Sequence, residues 1–308
     1  MTQYDTTPTA DMQRILERIT AEDAGMTDPL TMPPAEGRAT VERNNARWNR
    51  DKPQMARVEP IDLGLAAPGT VLTPAEDEGR GAILYIHGGG WAFCSAATHD
   101  RFARVLAMEA RAPVVTFDYR LAPEHPFPAG LEDCIGAWSA FARAFGGRAL
   151  GIGGDSAGAN LALAAMLKGL DPQPDVGLLF YGAFAADFSG PSYTTFADGP
   201  QLTLPKMKIY YDWYVPPDDR ADPLVAPLEA SDAALAELPP LFLNAAGLDP
   251  LRSDAETLSA RLAALGRSDP FVTHEGVVHG FLQMTEVLPE AREATRTAGE
   301  AFRTLTAG

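Results

Sequence analysis

Ser156 stands in Gly154-Asp155-Ser156-Ala157-Gly158, a Gly-x-Ser-x-Gly placed between a short apolar run and a helical one. A serine at a strand-to-helix turn this tight is forced into strained backbone angles, and small neighbours let the two arms of the turn approach. Its hydroxyl then projects above the sheet, beside the amides and positive dipole end of the following helix. The plainer reading is a glycine-rich βα turn of a nucleotide-binding fold, but Gly151–Gly158 does not complete a Gly-x-Gly-x-x-Gly fingerprint.

A neutral hydroxyl attacks poorly until a base accepts its proton. The chain has five histidines, His87, His99, His125, His274 and His279. His279, in Val277-Val278-His279-Gly280-Phe281, follows the last strand pattern and is positioned to reach Ser156 from the sheet's C-terminal edge. His274 falls inside that strand pattern, His99 near a helix start and His125 among prolines, so structural duties suit all three.

The base in turn needs a carboxylate that fixes its tautomer and stabilises the imidazolium. Asp249 follows the strand that ends near Ala245, again on the C-terminal edge. Asp254 competes, but Ser253-Asp254-Ala255-Glu256 has the form of a capping box, which would employ it structurally. The chain order Ser156, Asp249, His279 is that of α/β-hydrolases and of neither large serine protease class. Acyl transfer also needs donors for a tetrahedral oxyanion. His87-Gly88-Gly89-Gly90-Trp91 follows a strand where such a loop belongs, and assigns the amides of Gly88, Gly89 and Ala157 to that role. The triad requires no metal and no organic cofactor.

The elements that must hold these residues follow from periodicity. Apolar runs at Ala82–Ile86, Pro113–Phe117, Leu150–Gly153, Val176–Tyr181, Pro240–Ala245 and Pro270–His274 predict strands. They alternate with helical patterns at Arg101–Ala110, Ala129–Phe145, Ala157–Lys168, Ser253–Leu265 and Glu290–Thr304, the sign of an α/β fold with a mostly parallel sheet. Arg57–Leu63 and Gly69–Leu72 predict an antiparallel hairpin at its edge. Two stretches break the rhythm. Met12, Ile15, Leu16 and Ile19 mark an amphipathic helix before the sheet. Asp187–Pro223 is an insertion rich in aromatic residues, suited either to a lid or to one extra packed helix. Trp91, with Met207 and Tyr211 of that insertion, are the candidate substrate-binding side chains.

Composition bounds the partners. With 25 Lys+Arg and 41 Asp+Glu the formal charge is −16, a field that repels phosphate backbones and anionic lipids, so neither nucleic acid nor membrane is expected. A chain of 308 residues buries enough surface to need no staples, and Cys94 and Cys134 form no disulfide framework or metal pattern. The N-terminal residues lack an apolar h-region, which makes the cytoplasm the expected location.

The glycine loop and the serine turn, together with Asp118-Tyr119-Arg120-Leu121-Ala122-Pro123-Glu124-His125-Pro126-Phe127-Pro128-Ala129, Asp249-Pro250-Leu251-Arg252 and His279-Gly280-Phe281, resemble the hormone-sensitive lipase family of bacterial esterases. The resemblance covers most of the chain. It implies one α/β-hydrolase domain with an eight-stranded sheet, a cap from about 1–50 and 187–223, and a core from about 55–186 and 224–308. It also implies a proline loop with cis bonds at Ala122-Pro123 or Phe127-Pro128, and a His87 that orients the oxyanion loop. Ala159 and Ser253 depart from the family's usual glycine and acidic residue. The implied activity is hydrolysis of short- to medium-chain carboxylic esters, the substrate a small-molecule ester. An amidase, lactonase or formamidase would use the same triad. A non-catalytic receptor of this fold would lack one, and the family's pairing through its last strand makes a homodimer compatible.

Overall fold

The computed structural model describes residues 4–307. The chain opens with α1 (Ala10–Glu22) and α2 (Pro34–Asn45), then enters the hairpin β1 (Arg57–Ile61) and β2 (Gly69–Thr73). There follow β3 (Gly81–Ile86), α3 (Asp100–Ala110), β4 (Val114–Thr116), α4 (Ala129–Ala144), β5 (Ala149–Asp155), α5 (Ala157–Lys168) and β6 (Val176–Phe180). The insertion carries α6 (Pro191–Thr195) and α7 (Leu204–Tyr214). The chain then closes with α8 (Asp232–Ala236), β7 (Leu241–Leu248), α9 (Arg252–Ala264), β8 (Phe271–Val278) and α10 (Pro289–Leu305).

One eight-stranded sheet runs in the order β1-β2-β4-β3-β5-β6-β7-β8. β1 and β2 pair antiparallel, β2 meets β4 antiparallel, and every pair from β4 to β8 is parallel. β3, β4 and β6 read as unbroken apolar runs because helices cover both faces of the sheet there. Leu84, Ile152 and Leu243 pack with α4, α5 and α9. Ile83, Leu178 and Phe242 point the other way, onto α3 and α10. Alternation along each strand thus feeds two cores.

All eight expected strands form. β7 and β8 run beyond their predicted ends at Ala245 and His274, to Leu248 and Val278. The pattern fades there because Thr273, His274 and Glu275 face outward to varying degrees while Val277 and Val278 are buried again. A register shift between Ala246 and Leu248 lies opposite Gly276, which has φ +69°. This extension carries Asp249 and His279 to the same sheet edge as Ser156. The peptide bonds before Pro123 and Pro128 are both cis, as is that before Pro172.

The N-terminal stretch is pinned to the sheet and to the loops above it. Met12, Ile15 and Ile19 of α1 are buried, and Thr9 donates its amide to the Gly276 carbonyl at 3.0 Å. Arg38 of α2 donates to the Ala92 carbonyl at 2.8 Å and the Ala122 carbonyl at 2.9 Å, joining the glycine loop to the proline loop. The insertion packs through rings: Tyr214 stacks on Trp91 at 4.3 Å, and Phe188 meets Tyr211 edge-on at 5.5 Å. Among the described residues, no helix is long and apolar enough to cross a membrane.

Candidate active site

The turn at Ser156 is as tight as its glycines suggest. A Cβ on Gly158 would lie 2.1 Å from the Ile86 carbonyl oxygen, and one on Gly154 would lie 2.5 Å from Gly158 backbone atoms. Ser156 itself takes φ 54° and ψ −120°, a sparsely populated region for a side-chain-bearing residue. The surrounding β5–α5 packing holds it there; every residue from Ala157 to Met166 of α5 is buried.

Three of the predicted residues meet. Ser156 Oγ lies 2.9 Å from His279 Nε2, and His279 Nδ1 lies 2.7 Å from Asp249 Oδ2. A carboxylate only accepts, so Nδ1 carries the proton and Nε2 is left to accept from the serine hydroxyl. Asp249 is fully buried and also accepts the Leu251 amide through Oδ1 at 2.9 Å, which fixes its plane. Tyr181 packs edge-on against the His279 ring at 5.0 Å.

The glycine loop differs from expectation at one position. Gly88 does not point its amide toward the cavity but donates it to Asp155 Oδ1 at 2.9 Å. Asp155 is 3 % exposed and gathers donors because a buried carboxylate must be compensated. It also accepts the Tyr85 hydroxyl at 2.6 Å and lies 3.3 Å from His99 Nε2. Burial works against charge on Asp155, but the attraction of His99 and the bonds from His99, Tyr85 and Gly88 outweigh it and hold the carboxyl below its usual range. Burial likewise opposes charge on His99, and Asp155 overcomes it, raising His99 above the ordinary imidazole value. Among the described residues, the backbone amides left without a partner beside Ser156 are those of Gly89, Gly90 and Ala157, and all three residues line the cavity. Gly88 therefore leaves the expected oxyanion set, and Gly90 becomes a candidate donor beside Gly89 and Ala157.

His87 holds this loop from behind. Its Nδ1 donates to the Gly88 carbonyl at 2.8 Å, and its ring stacks on Tyr119 at 4.4 Å. Burial and the neighbouring His99 push His87 down to about 4, so it is neutral at neutral pH. His274 packs against Phe281, and His125 is exposed. Asp254 has no capping role, because α9 starts at Arg252 without a side-chain cap. Instead its buried carboxylate accepts the Phe184 and Ala185 amides at 2.9 Å each and the Tyr193 hydroxyl at 3.1 Å. Burial pushes this group up to about 7.

Above Ser156 lies a cavity of about 220 Å³. Trp91 and Met207 line it as expected. Tyr211 does not. It is buried behind the wall with its hydroxyl on the Ala185 carbonyl at 2.9 Å, and Tyr210 takes the lining position. One residue of helical phase separates the two, and in the run Tyr210-Tyr211-Asp212-Trp213-Tyr214 the single exposed Asp212 does not choose between adjacent tyrosines. The sequence reading also missed Asn45 and Trp48, which reach the cavity from the N-terminal stretch, and Gln201 from the insertion. Cys94 lines it too, its thiol pushed up to about 12 by burial. Among the described residues no cluster of His, Cys, Asp and Glu could hold a metal ion.

A nucleophile, base and orienting carboxylate in hydrogen-bond series, beside convergent amides at the C-terminal edge of a doubly covered parallel sheet, define a serine hydrolase site of α/β-hydrolase type. The family model for the alpha/beta hydrolase fold matches residues 83–283, and the chain belongs to this family. Within it the chain falls in the hormone-sensitive-lipase-like group. It is 35% identical over 290 residues to carboxylesterase NlhH of Mycobacterium tuberculosis, covering 87% of this chain and 90% of that one. It is 37% identical over 258 residues to esterase LipI of the same organism, covering 81% and 79%. Among solved structures, an ester hydrolase from the metagenome of Lake Arreo superposes with a TM-score of 0.90 at 31% identity, covering 98% of this chain and all (100%) of the other. A hyperthermophilic esterase from Pyrobaculum calidifontis gives 0.87 at 30% identity, covering 98% and 100%.

Proposed function

We propose that the chain is a serine carboxylesterase acting on short- to medium-chain esters through an acyl-enzyme. The observation that carries this reading is the unbroken series Ser156 Oγ, His279 Nε2, His279 Nδ1, Asp249 Oδ2, with its serine held at a positive φ beneath the cavity that Trp91, Met207 and Tyr210 line. His279 accepts the Ser156 proton as Oγ attacks the ester carbonyl. Asp249 stabilises the imidazolium, and the Gly89, Gly90 and Ala157 amides receive the developing oxyanion. His279 then returns the proton to the departing alkoxide. Water, activated by the same histidine, releases the acid.

Residues 1–50 and 187–223 act as the cap. Those of them that the structure describes supply Asn45, Trp48, Gln201, Leu202, Met207 and Tyr210 to the cavity wall. A cavity of this volume, walled by Trp91, Met207 and Tyr210, suits a bounded acyl or alcohol group rather than a lipid surface. Ser156→Ala is expected to abolish turnover of p-nitrophenyl butyrate while the circular dichroism spectrum stays that of the parent. Full activity in that variant would overturn the assignment. Assays of matched anilides and lactones beside the esters test the leaving group, and turnover of anilides alone would replace esterase with amidase.

A further inference from the structure

The catalytic cavity shares a wall with a second hollow of about 170 Å³. Asn45, Trp48 and Gln201 line both, so each presents one face to Ser156 and another outward. The outer hollow is lined by the apolar Ile19 and Val41 and by an ion pair, Arg47 with Asp23. Its other lining residue is Asn44. Three residues thus border both spaces.

We infer that Trp48 and Gln201 form the neck of a two-chamber substrate channel, with Trp48 setting how long an ester limb the enzyme accepts. The inference rests on the esterase reading above. The two sides of the neck differ in how firmly they are held. Trp48 is 8 % exposed, lies under the Arg18 guanidinium at 5.4 Å, and is followed by Asn49, whose side-chain Nδ2 donates to the Thr98 carbonyl at 2.8 Å while its Oδ1 accepts the Arg101 backbone amide at 2.9 Å. Gln201 is exposed with φ +72°, and its side-chain amide meets no partner among the described residues; only its backbone carbonyl accepts, from Lys206 Nζ at 3.1 Å. A fixed indole faces a side chain free to change rotamer. A limb that passes them meets Ile19 and Val41 beside Asn44 and the Arg47–Asp23 pair, whose charges already answer one another, so a neutral extension is the chemistry that fits, and a charged extension is not.

The test measures kcat/KM over two series, p-nitrophenyl esters from acetate to dodecanoate and acetates of linear alcohols from ethyl to decyl, with fluorophosphonate labelling of Ser156 run in parallel. Trp48→Ala is expected to raise the ratio of long-limb to short-limb kcat/KM by about tenfold or more in one series, the scale at which pockets discriminate methylenes. Trp48→Phe should stay close to the parent profile. Gln201→Phe, at an exposed position where the left-handed backbone adds strain but no buried contact is lost, should narrow the neck and shorten the accepted limb, so the inference is tested even if Trp48→Ala does not fold. Normal labelling with unshifted profiles in Trp48→Ala, or in Gln201→Phe where only that variant folds, overturns the neck alone. Absence of labelling in the parent enzyme overturns the esterase reading and the neck with it.

Discussion

Asp155 accepts the Gly88 amide at 2.9 Å, so the residue before the nucleophile is bonded to the first glycine of the loop that faces it. This ties the serine turn and the glycine loop into one unit. Donors aimed at an oxyanion are effective only when their positions are set before the charge develops. Tyr85 and His99 complete the shell around the same carboxylate, and His87 steadies the far side of the loop through the Gly88 carbonyl.

Asp155→Ala should therefore damage both stability and rate. It leaves the Gly88 amide, the Tyr85 hydroxyl and a buried His99 without their shared acceptor, and breaking a buried charge pair this way costs about 3–5 kcal/mol. Asp155→Asn keeps an acceptor for Gly88 but removes the charge that His99 answers, so it should retain more of kcat than of stability. Thermal denaturation and kcat measured on both variants check this. Equal kcat losses in the two would contradict a positioning role for the carboxylate oxygen.

Asp249→Asn should lower kcat by on the order of 10⁴ with little change in fold. Oδ1 of Asp249 already accepts the Leu251 amide. An asparagine keeping that bond would turn its NH₂ toward His279 Nδ1, forcing the ring proton onto Nε2 and toward the serine. The base would then be in the wrong tautomer. Steady-state kinetics with p-nitrophenyl acetate would show the loss, and near-parent kcat would show that Asp249 does not set the tautomer.

The eight strands, the mostly parallel sheet and the Ser156, Asp249, His279 series were legible because each rests on a local pattern. Apolar runs alternate with helical periods, and each chemical residue follows a strand. Gly88 was misassigned because the fate of its amide depends on Asp155, which is 67 residues away in the chain and gives no sign of its burial. Tyr211 was chosen over Tyr210 because helical phase within an aromatic run is set by packing on Trp91 and Phe188. Trp48 and Gln201 lie in irregular segments, where periodicity carries no information about which way a side chain faces.

Two glycines of these motifs should fail in different ways when changed to alanine. In Gly158→Ala the new methyl meets the Ile86 carbonyl oxygen at 2.1 Å, and neither the strand nor α5 can withdraw, so the soluble folded yield should collapse. In Gly90→Ala the methyl meets the root of the Tyr210 ring at 2.5 Å, a clash with a side chain and not with backbone, so the ring must shift, while φ +60° strains the loop and turns a candidate oxyanion amide. That variant should fold and lose about 10²–10³ in kcat. Expression yield and kinetics separate the two outcomes, and a folded, fully active Gly90→Ala would remove Gly90 from the oxyanion set.

Asp254 gives the protein a distinctive pH dependence. Burial raises its carboxyl from 3.8 to about 7, against the pull of the Phe184 and Ala185 amides and the Tyr193 hydroxyl. Between these two values the native chain holds a proton that the unfolded chain has released, so this group's contribution to stability falls as pH rises across that window and is level above it. Paired carboxylates such as Glu124, lowered by its bond from Arg38, have the opposite slope, and so the readout is a difference between parent and variant. Asp254→Asn keeps an oxygen for the two amides and cannot ionise. The Tm of the parent minus that of the variant should decline from pH 4 to pH 7 and then flatten. Parallel Tm curves across that range would show that Asp254 keeps the same charge state in the folded and unfolded chains.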